Sequence, residues 1–289
     1  DGVLRGSSRH RRSRRVDDAV AATQACNKLR EIYVGLSKLE NLVMLDLGGN
    51  RLRKMEHLPP NLEKLFLGKN KIERVENVAT LKKLKVLDVQ SNRLTSLEPG
   101  SLPAQLQELY GAHNAVTDPP ADALEGLALE TVDLSHNRLT SLEVFSGLAL
   151  GDLWLSYNGI AVLAGVEKLV NLEVLYLSNC KVASWSEVER LKELPKLRDL
   201  LLSKNPIHLE YGADEARWRI EVIKRLPNAL WQLWQWLRPQ CFLLLWLRLW
   251  CLLSIKRGLH GPWQLWQCLC LLWLCLRLWF WLWLKRRLN

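Results

Sequence analysis

The chain has 289 residues, 48% of them hydrophobic, and a formal net charge of +10. That charge is not spread over a folded surface: residues 1–15 carry six Arg and one Asp (+5), residues 229–289 eight Lys/Arg and no acid (+8), and residues 16–228 have 26 basic and 29 acidic residues (−3). The mildly acidic body argues against nucleic-acid binding through a basic stripe. Cys26 and Cys180 are the two cysteines before residue 229; with no Cys-x-x-Cys frame and no Asn-x-Ser/Thr sequon, a reducing intracellular compartment is expected.

In chain order, residues 1–25 read as a disordered basic arm. Its Arg9-His10-Arg11-Arg12-Ser13-Arg14-Arg15 stretch fits a nuclear-localisation or phosphate-binding patch, or simply a solvated terminus, which is the reading we favour. The start, Asp1-Gly2-Val3, has neither an initiator Met nor a signal peptide and suggests a fragment or an incomplete gene. Residues 26–205 then open with a partial repeat, Leu29-x-x-Ile32-x-Val34.

Eight full blocks of the form Leu-x-x-Leu-x-Leu-x-x-Asn follow. They begin at Leu42, Leu62, Leu84, Leu106, Leu129, Leu150, Leu172 and Leu197, in steps of 20 to 25 residues. The ninth position reads Asn50, Asn70, Asn92, Asn114, Asn137, Asn158, Cys180 and Asn205. This period and signature predict an α/β leucine-rich-repeat solenoid. Each Leu-x-Leu makes a short strand, and the strands stack in parallel on a concave face. After the Asn the apolar period becomes three, as in Ile160, Leu163, Val166, Leu169 and Leu172, which predicts 3₁₀ turns on the convex face. The Asn side chain can both donate and accept where the backbone leaves the sheet. Cys180 is expected to be a buried structural thiol. In the fourth repeat Ala115 and Pro119-Pro120 break the rhythm, so a loop is expected after a strand at Leu109-Tyr110.

Residues 206–228 predict a helical C-terminal cap. Asp214 to Pro227 has amphipathic spacing, with Trp218, Val222 and Leu226 four apart to cover the last repeat. From Ala229 to Asn289, 48 of 61 residues are Leu, Trp, Arg, Gln or Cys. We expect no folded domain there. The run from Leu265 to Leu284, followed by Lys285-Arg286-Arg287, is long enough to span a bilayer and would make the chain a tail-anchored membrane adaptor. The rival, which we rank first, is a GC-rich repeat read in a wrong frame or through an intron.

The residue between the two strand leucines should face away from the core. That column is Asp46, Phe66, Asp88, Tyr110, Asp133, Trp154, Tyr176 and Leu201; two residues earlier it includes Glu108 and Asp152. Aromatic rings among acids have the composition of a protein-binding hot spot, and the acids favour a basic partner. Exposed strands also accept aromatics for their own sake, but four in one column favour binding. The candidate partner-binding residues are therefore Asp46, Phe66, Asp88, Glu108, Tyr110, Asp133, Asp152, Trp154 and Tyr176. His57, His113, His136 and His208 fall in different repeats without metal spacing, and no phosphate loop or Gly-x-Gly-x-x-Gly occurs. No cofactor, no metal and no enzymatic activity are expected.

Leu65-Phe66-Leu67-Gly68-Lys69-Asn70-Lys71-Ile72, Gln90-Ser91-Asn92-Arg93-Leu94-Thr95, Trp185-Ser186-Glu187-Val188 and Asn205-Pro206 resemble the leucine-rich-repeat regulatory subunit of protein phosphatase 1. The resemblance covers roughly residues 42–226. It implies a non-catalytic scaffold whose concave face grips the phosphatase catalytic subunit, with Asp46, Phe66 and Tyr176 at matching contacts and a cytoplasmic or nuclear location. Leu201 stands where that family tends to carry an aromatic. Trp154-Leu155-Ser156-Tyr157-Asn158, Glu167-Lys168-Leu169-Val170-Asn171-Leu172 and Arg219 to Asn228 resemble axonemal dynein light chain 1. That alternative implies a dynein heavy chain as partner, Trp154 and Tyr176 as contacts and the cilium axoneme as location. Both families continue past Leu-Pro-Asn with a Leu-x-x-Leu-Asp strand; here Ala229-Leu230-Trp231 replaces it, the main ground for expecting a frame or splice error.

Overall fold

A computed structural model of the chain describes residues 21–226. The basic stretch Arg9–Arg15, the expected membrane run and the whole tail lie outside these residues. Nine strands form one sheet: β1 (Ala21–Thr23), β2 (Met44–Asp46), β3 (Lys64–Phe66), β4 (Val86–Asp88), β5 (Glu108–Tyr110), β6 (Thr131–Asp133), β7 (Asp152–Trp154), β8 (Val174–Tyr176) and β9 (Asp199–Leu201). Their order in the sheet is their order in the chain, and all pairs are parallel. From β2 to β9 each three-residue strand is centred on the first apolar residue of the Leu-x-Leu unit rather than covering both leucines; the second lies just past the strand end, where the chain enters the Asn turn.

The repeat leucines converge on one continuous core. The middle residues of β2 to β8 (Leu45, Leu65, Leu87, Leu109, Val132, Leu153 and Leu175) are fully buried. Behind them pack the three-period residues of the outer edge, among them Ile72, Val78, Leu139, Phe145, Ile160 and Leu163. No repeat could bury this surface alone, so each depends on its neighbours.

The asparagines join the repeats. Asn70 Nδ2 donates to the Leu67 carbonyl of its own repeat at 3.0 Å and to Leu47 of the preceding one at 2.9 Å. Its Oδ1 accepts from the Leu52 N–H at 3.0 Å. Asn50, Asn92, Asn114, Asn137, Asn158 and Asn205 repeat this arrangement. At Cys180 a thiol stands in, with Sγ 3.4 Å from the Leu155 carbonyl. Burial pushes this thiol's pKa up, while the backbone N–H groups of Asn158, Ile160 and Tyr157 oppose the shift.

Two elements depart from the sequence reading. Ala21–Thr23 is a strand and not part of a disordered arm, and the first repeat starts here rather than at Leu29. Its leucine positions hold Ala22 and Gln24, which hid it. Asn27 nevertheless occupies the ninth position and donates to the Gln24 carbonyl at 3.0 Å, and Cys26 takes the same positive φ (58°) as the eighth residue of later repeats. The convex side carries the expected 3₁₀ turns at Val34–Lys38, Glu143–Phe145, Val166–Lys168 and Arg190–Glu193. It also carries a short α-helix, α1 (Trp185–Glu189), in the longest repeat, whose extra residues give a full helical turn room. In the fourth repeat the loop is clamped to the fifth: the Asp118 carboxylate accepts from the Thr140 hydroxyl and N–H and from the Ser141 N–H.

Two further helices follow the last strand, α2 (Pro206–Leu209) and α3 (Glu215–Arg225). The Asp214 carboxylate accepts from the Arg217 N–H at 2.9 Å and so caps α3. Trp218 of α3 and Leu226, which caps its C-terminal end, are buried, and Val222 packs against the same core. Among the described residues no helix is long and apolar enough to cross a membrane.

Candidate functional site: the concave sheet face

The one-to-one register sets the candidate residues in two rows across the sheet. One row runs Thr23, Asp46, Phe66, Asp88, Tyr110, Asp133, Trp154, Tyr176 and Leu201 from β1 to β9. The other includes Met44, Lys64, Val86, Glu108, Thr131, Asp152, Val174 and Asp199. From Asp46 to Tyr176 the first row is half-buried, and Leu201 is exposed. All nine candidate residues thus share the face opposite the core.

Within the row the aspartates are pinned. Asp46, Asp88 and Asp133 each use Oδ1 to accept the N–H two residues on, from Gly48, Gln90 and Ser135, at 2.9 Å. These bonds fix the carboxylates where the strand ends, so each acid has a local structural role as well as a place on the face. Burial raises the pKa of Asp88; the Gln90 backbone and side chain oppose this, and Asp46 and Asp133 add to it. Burial, then the neighbouring Glu173, raises that of Asp152.

The aromatics behave differently in the two halves. Phe66 stands between Asp46 and Asp88. Tyr110, Trp154 and Tyr176 form a cluster: the Trp154 ring lies 6.4 Å from Tyr110 and 6.3 Å from Tyr176, centroid to centroid. Tyr110 and Trp154 therefore lean together over the intervening strand that carries Asp133. The Tyr110 hydroxyl donates to Glu108 Oε2 and the Tyr176 hydroxyl to Asp199 Oδ2, both at 2.8 Å. Burial and these acidic acceptors push both phenols up to about 12, so both remain protonated donors at neutral pH. The Trp154 indole Nε1–H is buried without an acceptor among the described residues. An unsatisfied buried donor costs about 1–3 kcal/mol.

The column itself was legible in the sequence. The ring cluster and the participation of Asp199 were not, because neighbouring columns meet only once side chains lean along the sheet. A second feature also escaped. His113, His136 and Tyr157 stack at 4.0 Å between successive centroids, with interplanar angles of 17° and 11°. They occupy the eighth position of three consecutive repeats, and all three have positive φ. Equivalent positions for the two histidines were visible in the sequence; the tyrosine completing the stack was not. Parallel rings do not converge on a metal, and among the described residues no group of three or more His, Cys, Asp or Glu side chains could hold one.

Nine short parallel strands, a ladder of asparagines and a convex edge of tight turns define a leucine-rich-repeat solenoid. Residues 60–103 match the model for leucine-rich repeats in two copies, and residues 128–148 match the leucine-rich-repeat model. Among curated relatives, the chain is 48% identical over 104 residues to dynein axonemal light chain 1 of Chlamydomonas reinhardtii, covering 35% of this chain and 52% of that protein. It is 37% identical over 174 residues to the protein phosphatase 1 regulatory inhibitor subunit PPP1R7 homolog of Arabidopsis thaliana, covering 57% and 52%. It is 34% identical over 158 residues to fibromodulin of Bos taurus, covering 51% and 41%. Both resemblances read from the sequence therefore recur among the relatives. The chain spans about half the length of the curated relatives it matches. Among solved structures, a leucine-rich-repeat protein of Leptospira interrogans superposes with a TM-score of 0.50 at 28% identity, over 70% of this chain and 63% of that one.

Proposed function

We propose that the protein is a non-catalytic interaction scaffold that holds a protein partner on its concave face, and that this partner is the catalytic subunit of protein phosphatase 1. The observation that carries the reading is the unbroken row from Asp46 to Tyr176, acid and aromatic by turns as far as Trp154 and closed by a second ring at Tyr176, fixed in register on one half-buried sheet face. Such a face offers large rigid rings with few rotamers to freeze, set among acids that select a basic patch. Relatedness to the phosphatase regulatory subunit homolog over more than half the chain supports this choice of partner. A cytoplasmic or nuclear location goes with it.

The test is calorimetric titration of the phosphatase catalytic subunit into the full chain. Binding is expected at micromolar concentration or tighter, and Phe66→Ala with Tyr176→Ala should weaken it at least tenfold, about 1.4 kcal/mol. No binding by the unaltered chain would remove the phosphatase from consideration. The higher identity to the dynein light chain favours a second reading, in which the partner is a dynein heavy chain in the axoneme. Heavy-chain binding that depends on Trp154 and Tyr176, without phosphatase binding, would select it.

A further inference from the structure

The turn that follows each strand carries charge unevenly along the solenoid. Residues 26–31, 49–54, 69–74 and 91–96 are the eighth to thirteenth positions of the repeats of β1 to β4, and they hold nine Lys or Arg against Glu31 and Glu73. The same positions of the next four repeats, residues 113–118, 136–141, 157–162 and 179–184, hold Arg138 and Lys181 against Asp118. The positive excess is therefore confined to one end of the solenoid.

Its spine is the tenth position: Lys28, Arg51, Lys71 and Arg93. Backbone bonds hold these residues in step. The Arg51 N–H donates to the Leu29 carbonyl, that of Lys71 to Leu52 and that of Arg93 to Ile72, at 2.8, 2.9 and 2.9 Å. Lys28, Arg51 and Arg93 are exposed and Lys71 is half-buried. With repeats about 4.8 Å apart, as their strands are, the four cations run in single file over about 14 Å. Of the nine bases in these turns, Lys54 alone makes an ion pair among the described residues, with Glu56 at 3.3 Å. Elsewhere Lys85, Lys192, Arg198 and Lys224 each have a carboxylate partner. Like charges at this spacing repel one another in the free protein, and a bound anion relieves the repulsion.

We propose that this strip docks an acidic polypeptide segment in extended conformation. Side chains on one side of an extended chain recur about every 6.6 Å, so acids at i, i+2 and i+4 span about 13 Å, the length of the strip. Charge complementarity supplies the attraction, and the single file of cations supplies the register. A nucleic-acid strand fits less well, because no residue of these four turns is aromatic and bases would find no ring to stack on. The docking does not rest on the choice of partner for the concave face, whose acids would repel the same segment.

The test uses the full chain, unaltered and as two paired variants that remove equal charge from the same repeat position. One pair is Arg51→Gln with Lys71→Gln, inside the strip; the other is Arg138→Gln with Lys181→Gln, outside it. The probe is a fluorescein-labelled peptide in which Glu and Ser alternate, followed by anisotropy at low ionic strength, where surface charges are least screened. The first pair should weaken peptide binding at least tenfold, the second by less than about twofold. The basic residues before Ala21 and after Leu226 are common to all three proteins and cannot produce this difference. Should circular dichroism show that the pair containing the half-buried Lys71 unfolds, Arg51→Gln with Arg93→Gln replaces it. No binding by the unaltered chain, equal losses for the two pairs, or no loss for either overturns the proposal. So does a labelled oligothymidylate that binds more tightly than the peptide through Arg51 and Lys71, which would make the strip a nucleic-acid site.

Discussion

A single asparagine ties three pieces of backbone. Asn137 Nδ2 donates to the carbonyls of Gly111 and Leu134, and its Oδ1 accepts the Val116 N–H at 2.9 Å, all in a buried setting. Asn137→Ala strands these groups away from water, and each unsatisfied group costs about 1–3 kcal/mol. We expect a loss of about 3 kcal/mol in urea denaturation. The thiol in the same column tests the local environment differently. Cys180 is buried with its pKa raised, so little thiolate is present at pH 8, whereas Cys26 is exposed. Peptide mapping after brief iodoacetamide treatment should find Cys26 modified well before Cys180. These two roles were readable beforehand because repetition makes one position explain the next. The reach of Tyr110 to Glu108 and of Tyr176 to Asp199 was not, since it depends on which way a ring leans.

At the scale of elements, the ends and the seams between repeats decide stability. Trp218 of α3 packs against Trp185, Tyr211 and His208, with centroids 5.4, 5.5 and 5.0 Å away. Trp218→Ala should cost about 3 kcal/mol. In a solenoid that loss is felt by the adjoining repeat first, so amide exchange should accelerate in β8 and β9 while β3 to β5 stay protected. The stacked rings form a seam of another kind. Burial lowers the pKa of His136, the neighbouring His113 lowers it further, and Asp133 opposes both. The unfolded chain then takes up a proton at a higher pH than the folded one. The stability involved is fully present above about pH 6.5, the ordinary histidine value, and is lost as pH falls below it. Denaturation midpoints measured from pH 7.5 to 5.5 should fall less steeply for His136→Asn than for the unaltered chain. Helix α3 was legible from its four-residue spacing and its proline stop. Strand β1 was not, since propensity and pattern both failed where Ala22 and Gln24 replaced leucines; Asn27, one period before Asn50, was the remaining signal.

At the scale of the molecule, the fold was legible because a solenoid has one rule applied many times, and the rule is written in leucines that face inward. The proposed partner surface is written in residues the rule leaves free, so the sequence identifies the column but not what fills it. The asparagine ladder has a mechanical consequence. Each repeat is joined to the next through the same few bonds, so tension applied to the two ends would load these joints in series. Such an assembly yields one link at a time, beginning at its weakest. The interior link of different chemistry is Cys180, where a thiol 3.4 Å from the Leu155 carbonyl replaces an amide, and a pulled chain should part there before its other interior joints, as a fuse between the first six full repeats and the capped end.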